Sequence, residues 1–253
     1  MKLSYSKITT YLSCPLNFRF IYIDKLSRPV LPYHKLGNIL HKTLKEYHRL
    51  RKERLPSLSE ILSFYRRQWG TIPETQTKYF LDGREMLVRY YYETKAEEED
   101  AYFLEKRFQV PVNGVLISGR LDRVDQLSDR SFEIIDYKTG KQLPTEEELE
   151  EDLQLGLYHL VFEKLTGISP KYLSFYFLRY AKKLTTKRHQ NQLSRVMEII
   201  SKTAEGIGRG DFEPKEGKLC RYCGFTDCCP LKTEKPKQIE TSPWQLQFNY
   251  IYR

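Results

Sequence analysis

The sequence predicts an α/β fold, in which helices are followed by three consecutive strands, a helix and a further strand. Three observations carry that prediction. Strand-like runs at Tyr102–Val112, Val115–Asp125 and Phe132–Lys138 are separated by Asn113-Gly114 and by a short polar loop, the pattern of an antiparallel meander. Thr145 to Glu148 has capping-box spacing and opens a helix running to about Leu165, which Gly167 and Pro170 close. Tyr172–Arg179, YLSFYFLR, then reads as a buried strand.

In chain order, residues 4–22 open with hydroxyl side chains suited to helix N-capping, and Ile8, Tyr11 and Leu12 repeat at helical spacing. A Pro-containing loop follows at 27–36. Gly37–Leu50 reads as a helix with Ile39, Leu40, Leu44 and Tyr47 on its apolar side; His41 lies at the edge of that side, where a histidine is ordinarily a bystander. Residues 56–100 form a charged helical insertion with helices at Ser59–Trp69 and about Thr75–Glu98, either a solvated lid or a wall over a substrate groove. After the meander and the strand at 172–179 comes a basic segment, 179–190, expected as a solvated loop or a phosphate-contacting edge. A helix at Asn191–Ile207 leads to a cysteine-rich stretch.

Composition narrows the function classes. At 253 residues with 19 Tyr and 13 Phe, the chain can bury the core of one large domain. A net charge of +9 favours an anionic partner such as nucleic acid. No apolar run reaches about 18 residues, the length a spanning helix needs, and MKLSYSKITT lacks the apolar segment of a signal peptide. The expectation is a cytoplasmic protein whose five cysteines are metal ligands rather than disulfides.

The meander carries the chemistry. Side chains alternate across a strand, so Asp136 and Lys138 share one face. A hairpin centred on Asp129 would set Asp122 opposite Asp136, where facing Cβ atoms are roughly 4.5–5.5 Å apart and like charges repel. Mg²⁺ or Mn²⁺ relieves that repulsion and can polarise a phosphodiester, with Lys138 offsetting developing charge. Asp-x-Lys alone fits a solvated surface pair equally well. Near the C-terminus, Cys220, Cys223, Cys228 and Cys229 crowd one segment, with Cys14 far upstream to complete a set. Their spacing suits structural zinc and a [4Fe–4S] cluster alike.

Six motifs in order, SYSKITTYLSCPLNFRFIY, GNILHKTL, GRLDRVD, EIIDYKTGK, QLGLY and CRYCGFTDCCP, resemble RecB-type nucleases of the PD-(D/E)XK superfamily. The resemblance is to the subgroup with an iron–sulfur clamp, which includes the nuclease domain of AddB and the CRISPR-adaptation nucleases. It implies a restriction-endonuclease-like core, a mixed sheet flanked by helices, within one domain over 1–230. The insertion is 56–100, the core 102–207, the clamp Cys14 plus 220–229, and 231–253 a tail beyond the match. It implies that His41, Asp122, Asp136 and the Tyr137 carbonyl bind Mg²⁺ or Mn²⁺, that Asp122, Asp136 and Lys138 are catalytic, and that Gln154 and Tyr158 contact DNA or order the site. Cys14, Cys220, Cys223 and Cys229 match the four cluster ligands, and Cys228 has no counterpart. The implied activity is hydrolysis of DNA, as an exonuclease on single-stranded ends, in repair, recombination or CRISPR prespacer processing. Lys182, Lys183, Lys187 and Arg188 are the expected phosphate contacts. No GxxxxGK[ST] occurs, so the helicase half of RecB- and AddB-like proteins is not expected in this sequence, and the expectation is either a free-standing nuclease or a subunit recruited to a helicase or integrase. The rival reading is a non-catalytic DNA-binding module stabilised by a metal clamp.

Overall fold

The computed structural model describes residues 1–27, 32–96 and 101–232. The acidic run at 97–100 and the tail from 233 lie outside them. The chain forms two compact units, one of Met1–Pro29, Pro111–Leu116 and Met197–Arg253, the other of Val30–Val110 and Ile117–Val196.

The first unit begins with β1 (Lys2–Leu3), α1 (Tyr5–Ser13) and α2 (Pro15–Phe18), which runs on into a π-helical turn at Arg19–Ile23. Ser4 caps α1 by accepting from the Lys7 N–H at 3.3 Å, as its hydroxyl-rich start predicts. Met1 O accepts from the Leu116 N–H, the Tyr11 hydroxyl donates to Asp211 O at 2.8 Å, and the Phe18 and Phe212 rings stack.

The second unit is built on the meander. Helix α3 (Pro32–Arg51) starts before the expected Gly37, because Leu36 extends the apolar stripe of Ile39, Leu40, Leu44 and Tyr47 into the core. Helices α4 (Leu58–Trp69) and α5 (Thr77–Thr94) follow, α4 with a capping box between Ser57 and Glu60. Strands β2 (Ala101–Val112) and β3 (Val115–Gln126) are joined by Asn113 and Gly114, both at positive φ, the conformation that makes Asn-Gly a tight hairpin turn. Strand β4 (Phe132–Lys138) runs antiparallel to β3 with Arg123 opposite Ile135 and Asp125 opposite Glu133. The hairpin is therefore centred on Asp129, and one step along the same register Asp122 faces Asp136.

The segment after β4 is two helices rather than one, α6 (Glu146–Glu150) and α7 (Leu153–Thr166). The break arises because Asp152 caps a new helix, accepting from the Leu155 N–H at 2.9 Å. Strand β5 (Tyr172–Phe177) lies parallel to β4. The expected basic loop is in part a strand, β6 (Lys182–Thr186), antiparallel to β5; Ala181 at φ 46° turns the chain into it. Helix α8 (Gln190–Arg209) closes the series.

Parallel and antiparallel pairs make the sheet mixed, as the resemblance implies. On one face Ile135, Tyr137, Tyr176 and Leu178 enter a core with Leu40, Leu44, Tyr65, Leu87 and Tyr90 from α3, α4 and α5. On the other, Phe132 packs on Phe162 of α7 at 5.2 Å between ring centroids. Successive residues of β3 and β4 thus serve two environments, one apolar with helices α3 to α5, the other beside α7. No helix among the described residues is long and apolar enough to cross a membrane.

Candidate metal centre

Asp122 of β3 is held from two sides. The Tyr137 backbone N–H donates to its Oδ2 at 3.1 Å, and His41 Nδ1 of α3 lies 3.2 Å from its Oδ1. Asp136 of β4 meets Lys138 Nζ at 2.6 Å through Oδ2, while its Oδ1 accepts from Gln154 Nε2 at 2.8 Å and from the Tyr158 hydroxyl at 3.3 Å. Gln154 Oε1 accepts from Lys138 Nζ at 2.6 Å, so this one amide fixes both the acid and the lysine. The face of Phe175, opposite Asp136 on β5, lies 4.3 Å from the ammonium and steadies it further. The structure therefore brings together His41, Asp122, Asp136, Lys138, Gln154 and Tyr158, six residues singled out in the sequence.

It adds one that sequence reasoning missed. Glu105 of β2 lies 3.5 Å from His41 Nδ1 through Oε1 and 2.5 Å from Arg120 Nε through Oε2. Its backbone is at φ 52°, left-handed in the middle of a strand, which costs energy for a residue with a Cβ and turns the carboxylate inward. An acid breaking the alternation of β2 was the one available signal.

The donor set fits a divalent cation. Ligand atoms of His41, Glu105 and Asp122 lie within 4.8 Å of one another, with the buried His41 Nδ1 beside the two carboxylates. Carboxylates with one imidazole suit Mg²⁺ or Mn²⁺ with waters completing the shell. Without a cation the charges lean on one another. Burial alone would lower His41, but the Asp122 charge and hydrogen bonds to Asp122 and Glu105 hold it up at about 10. Burial would raise Asp122, yet the His41 charge and the Tyr137 N–H bring it below its usual range. Asp136 goes the other way: burial first and the Asp122 charge push it up to about 6, against Lys138.

The shift at Asp136 has a sign. Its folded value lies above the ordinary 3.8, so protonation of this acid stabilises the fold below about pH 4, and that contribution is lost as pH rises through about 6. In EDTA, the thermal stability of wild type relative to Asp136→Asn should fall between about pH 4 and 6 and be flat above. A difference independent of pH across that window would contradict the shift.

The expected phosphate contacts divide. Lys182, Lys183 and Lys187 are exposed. Lys183 pairs with the buried Glu133 at 3.0 Å, and Arg188 Nη2 donates to Leu149 O and Asp152 O, bracing the break between α6 and α7. In the first unit none of the five cysteines forms a disulfide. Cys14 Sγ accepts from the Lys215 N–H at 3.5 Å and Cys220 Sγ from the Gly217 N–H at 3.4 Å. Burial pushes the Cys223 thiol up, with Cys14, Cys229 and Cys220 acting the same way, and burial together with Cys223 and Cys229 raises Cys228; among the described residues the sulfurs do not converge as a metal-ligand group. Cys228 instead donates to Phe225 O.

A family model described as the PD-(D/E)XK nuclease superfamily matches residues 2–230. The sequence is 23% identical over 266 residues to Gene 69 protein of Mycobacterium phage D29, covering 90% of this chain and 96% of that protein. The crystal structure of a Eubacterium rectale protein named "Putative exonuclease" superposes with a TM-score of 0.55 at 12% identity, covering 98% of this chain and 93% of that one. That likeness is one of fold.

Proposed function

The chain belongs to the PD-(D/E)XK nuclease superfamily, and on that premise we propose that it is a metal-dependent deoxyribonuclease acting as an exonuclease on single-stranded DNA ends. The observation that carries the reading is the Lys138–Asp136–Gln154 arrangement beside Asp122 and His41, with contacts of 2.6 and 2.8 Å. A bound divalent ion supplies Lewis-acid polarisation of the phosphodiester and a water of lowered pKa. His41, Asp122, Asp136 and the Tyr137 carbonyl would hold that ion, and Glu105, grouped with His41 and Asp122, would be a further oxygen donor. Lys138, carrying its proton at Nζ, offsets the negative charge that develops on the phosphate. Gln154 and Tyr158, both buried, order Asp136 and Lys138.

Lys182, Lys183 and Lys187 are exposed cations that phosphates could reach, Lys183 also pairing with Glu133, while Arg188 serves the fold first. Cys14, Cys220, Cys223 and Cys229 would hold a [4Fe–4S] cluster, and the backbone N–H bonds accepted by Cys14 and Cys220 suit thiolate ligands of such a group. The process served is DNA repair, recombination or CRISPR prespacer processing, with a helicase or integrase subunit as partner.

The test is cleavage of 5′- and 3′-end-labelled single- and double-stranded DNA in Mg²⁺, Mn²⁺ or EDTA. Expected is metal-dependent shortening from single-stranded ends. Internal cuts in a circular single strand would make the enzyme an endonuclease. Binding without cutting in either metal would leave a DNA-binding module.

A further inference from the structure

The reverse face of the same two strands carries a polar network that no step above uses. Arg123 follows Asp122 on β3 and Tyr137 follows Asp136 on β4, so alternation turns this second pair toward α3 and α5. There Arg123 grips Asp125 with Nε at 2.6 Å from Oδ1 and Nη2 at 2.5 Å from Oδ2. Its Nη1 lies 3.1 Å from both His48 Nε2 and the Tyr90 hydroxyl. Tyr90 Oη and Tyr137 Oη are 2.9 Å apart, and His48 Nε2 lies 2.7 Å from the first and 3.1 Å from the second. Arg123 can only donate, so His48 Nε2 accepts and the imidazole is neutral with its proton on Nδ1. All five side chains are buried, Asp125 completely.

A buried ion pair of this kind adds little stability over apolar side chains of similar volume, but breaking it is expensive. What it enforces is placement. A slip of one residue between β3 and β4 would turn Arg123 and Tyr137 to the α7 side and drive the acids into the apolar face. The Tyr137 main chain joins the two faces, since its N–H holds Asp122 Oδ2 while its ring is fixed by His48 and Tyr90.

We propose that Arg123, Asp125, His48 and Tyr90 are positioning residues that fix Tyr137 from behind the sheet and thereby set the orientation of Asp122 toward the cation. The inference rests on the metal-centre reading above. Outer partners of metal ligands change metal affinity by about 10–100-fold when altered, and this network stands in that relation to Asp122 through one backbone N–H.

The experiment measures Mn²⁺ affinity by electron paramagnetic resonance, single-turnover cleavage and thermal midpoint for Tyr137→Phe, Arg123→Lys and Asp122→Asn. Tyr137→Phe keeps the ring and the main chain and deletes one hydroxyl, so it carries the test even if Arg123→Lys does not fold. Expected for Tyr137→Phe are about tenfold weaker Mn²⁺ binding, a cleavage rate that recovers partly at high Mn²⁺, and an unchanged KM for DNA. A lowered thermal midpoint with wild-type Mn²⁺ affinity, while Asp122→Asn loses the metal, would overturn the inference alone. Wild-type Mn²⁺ affinity in Asp122→Asn would overturn the metal-centre reading and the inference with it.

Discussion

Replacing Lys138 with alanine is expected to lower single-turnover cleavage by about 10²–10³-fold at saturating Mg²⁺, the loss typical when one preorganised charge-stabilising donor is removed. The fold should survive. The Lys138 side chain is 29% exposed, so its removal leaves no enclosed cavity. Asp136 keeps Gln154 and Tyr158 as donors, and without the ammonium its carboxyl climbs further above about 6, so it can take a proton rather than sit as an unpaired buried charge. Metal affinity should therefore weaken only through that competing proton, and more at pH 6 than at pH 8. The decisive comparison is cleavage against thermal midpoint and Mn²⁺ affinity. Loss of cutting with folding and metal binding retained supports Lys138 as catalytic, whereas cutting at the wild-type rate would remove it from the mechanism.

The second large effect is expected at the cysteines. Around them the buried apolar cluster consists of Leu16, Phe20 and Phe225, with Ile21, Leu26, Cys14, Cys223 and Cys228 packed against it. A cluster this small gives a segment of irregular chain and short 3₁₀ turns little to hold it by burial alone, and the proposed metal group would supply cross-links. Cys220→Ser and Cys14→Ser should each abolish the charge-transfer absorption of a [4Fe–4S] cluster. Limited proteolysis should then open the chain near 215–230, while Mn²⁺ binding in the other unit persists. Cys228→Ser should retain the absorption. A colourless, zinc-containing wild-type protein would sink the iron–sulfur assignment while leaving the destabilisation in place. Loss of absorption in Cys228→Ser with retention in Cys220→Ser would reassign the ligands.

What could be read in the sequence was what side-chain pattern encodes directly. Alternation and the Asn-Gly turn placed β2, β3 and β4, and symmetry about Asp129 placed Asp122 across from Asp136 because nothing bulges between them. Gln154 and Tyr158 fell on one helix face by their spacing alone. Glu105 was hidden because its role depends on a left-handed backbone in mid-strand, which no residue type announces. Strand β6 was hidden because it is largely exposed, with no apolar stripe, and resembles a basic loop. Asp152 looked like one more acid in an acidic helix until its side chain was seen to start a new one. Arg123, Asp125 and His48 drew no assignment from the sequence, because burial of a charged pair is a tertiary fact.

The parallel pairing of β4 with β5 bears on the order of events as the chain folds. His41, Glu105, Asp122, Asp136 and Gln154 come from α3, β2, β3, β4 and α7, and β5 can join β4 only after α6 and α7 have crossed between them. The β3–β4 hairpin can close early, being local, but it brings two like charges face to face with nothing yet to balance them. Long-range contacts form late and slowly, so the cation finds its full ligand set only in chains that are nearly native. A cation bound there would act as a latch on the finished structure, and is expected to retard unfolding while leaving the rate of folding almost untouched.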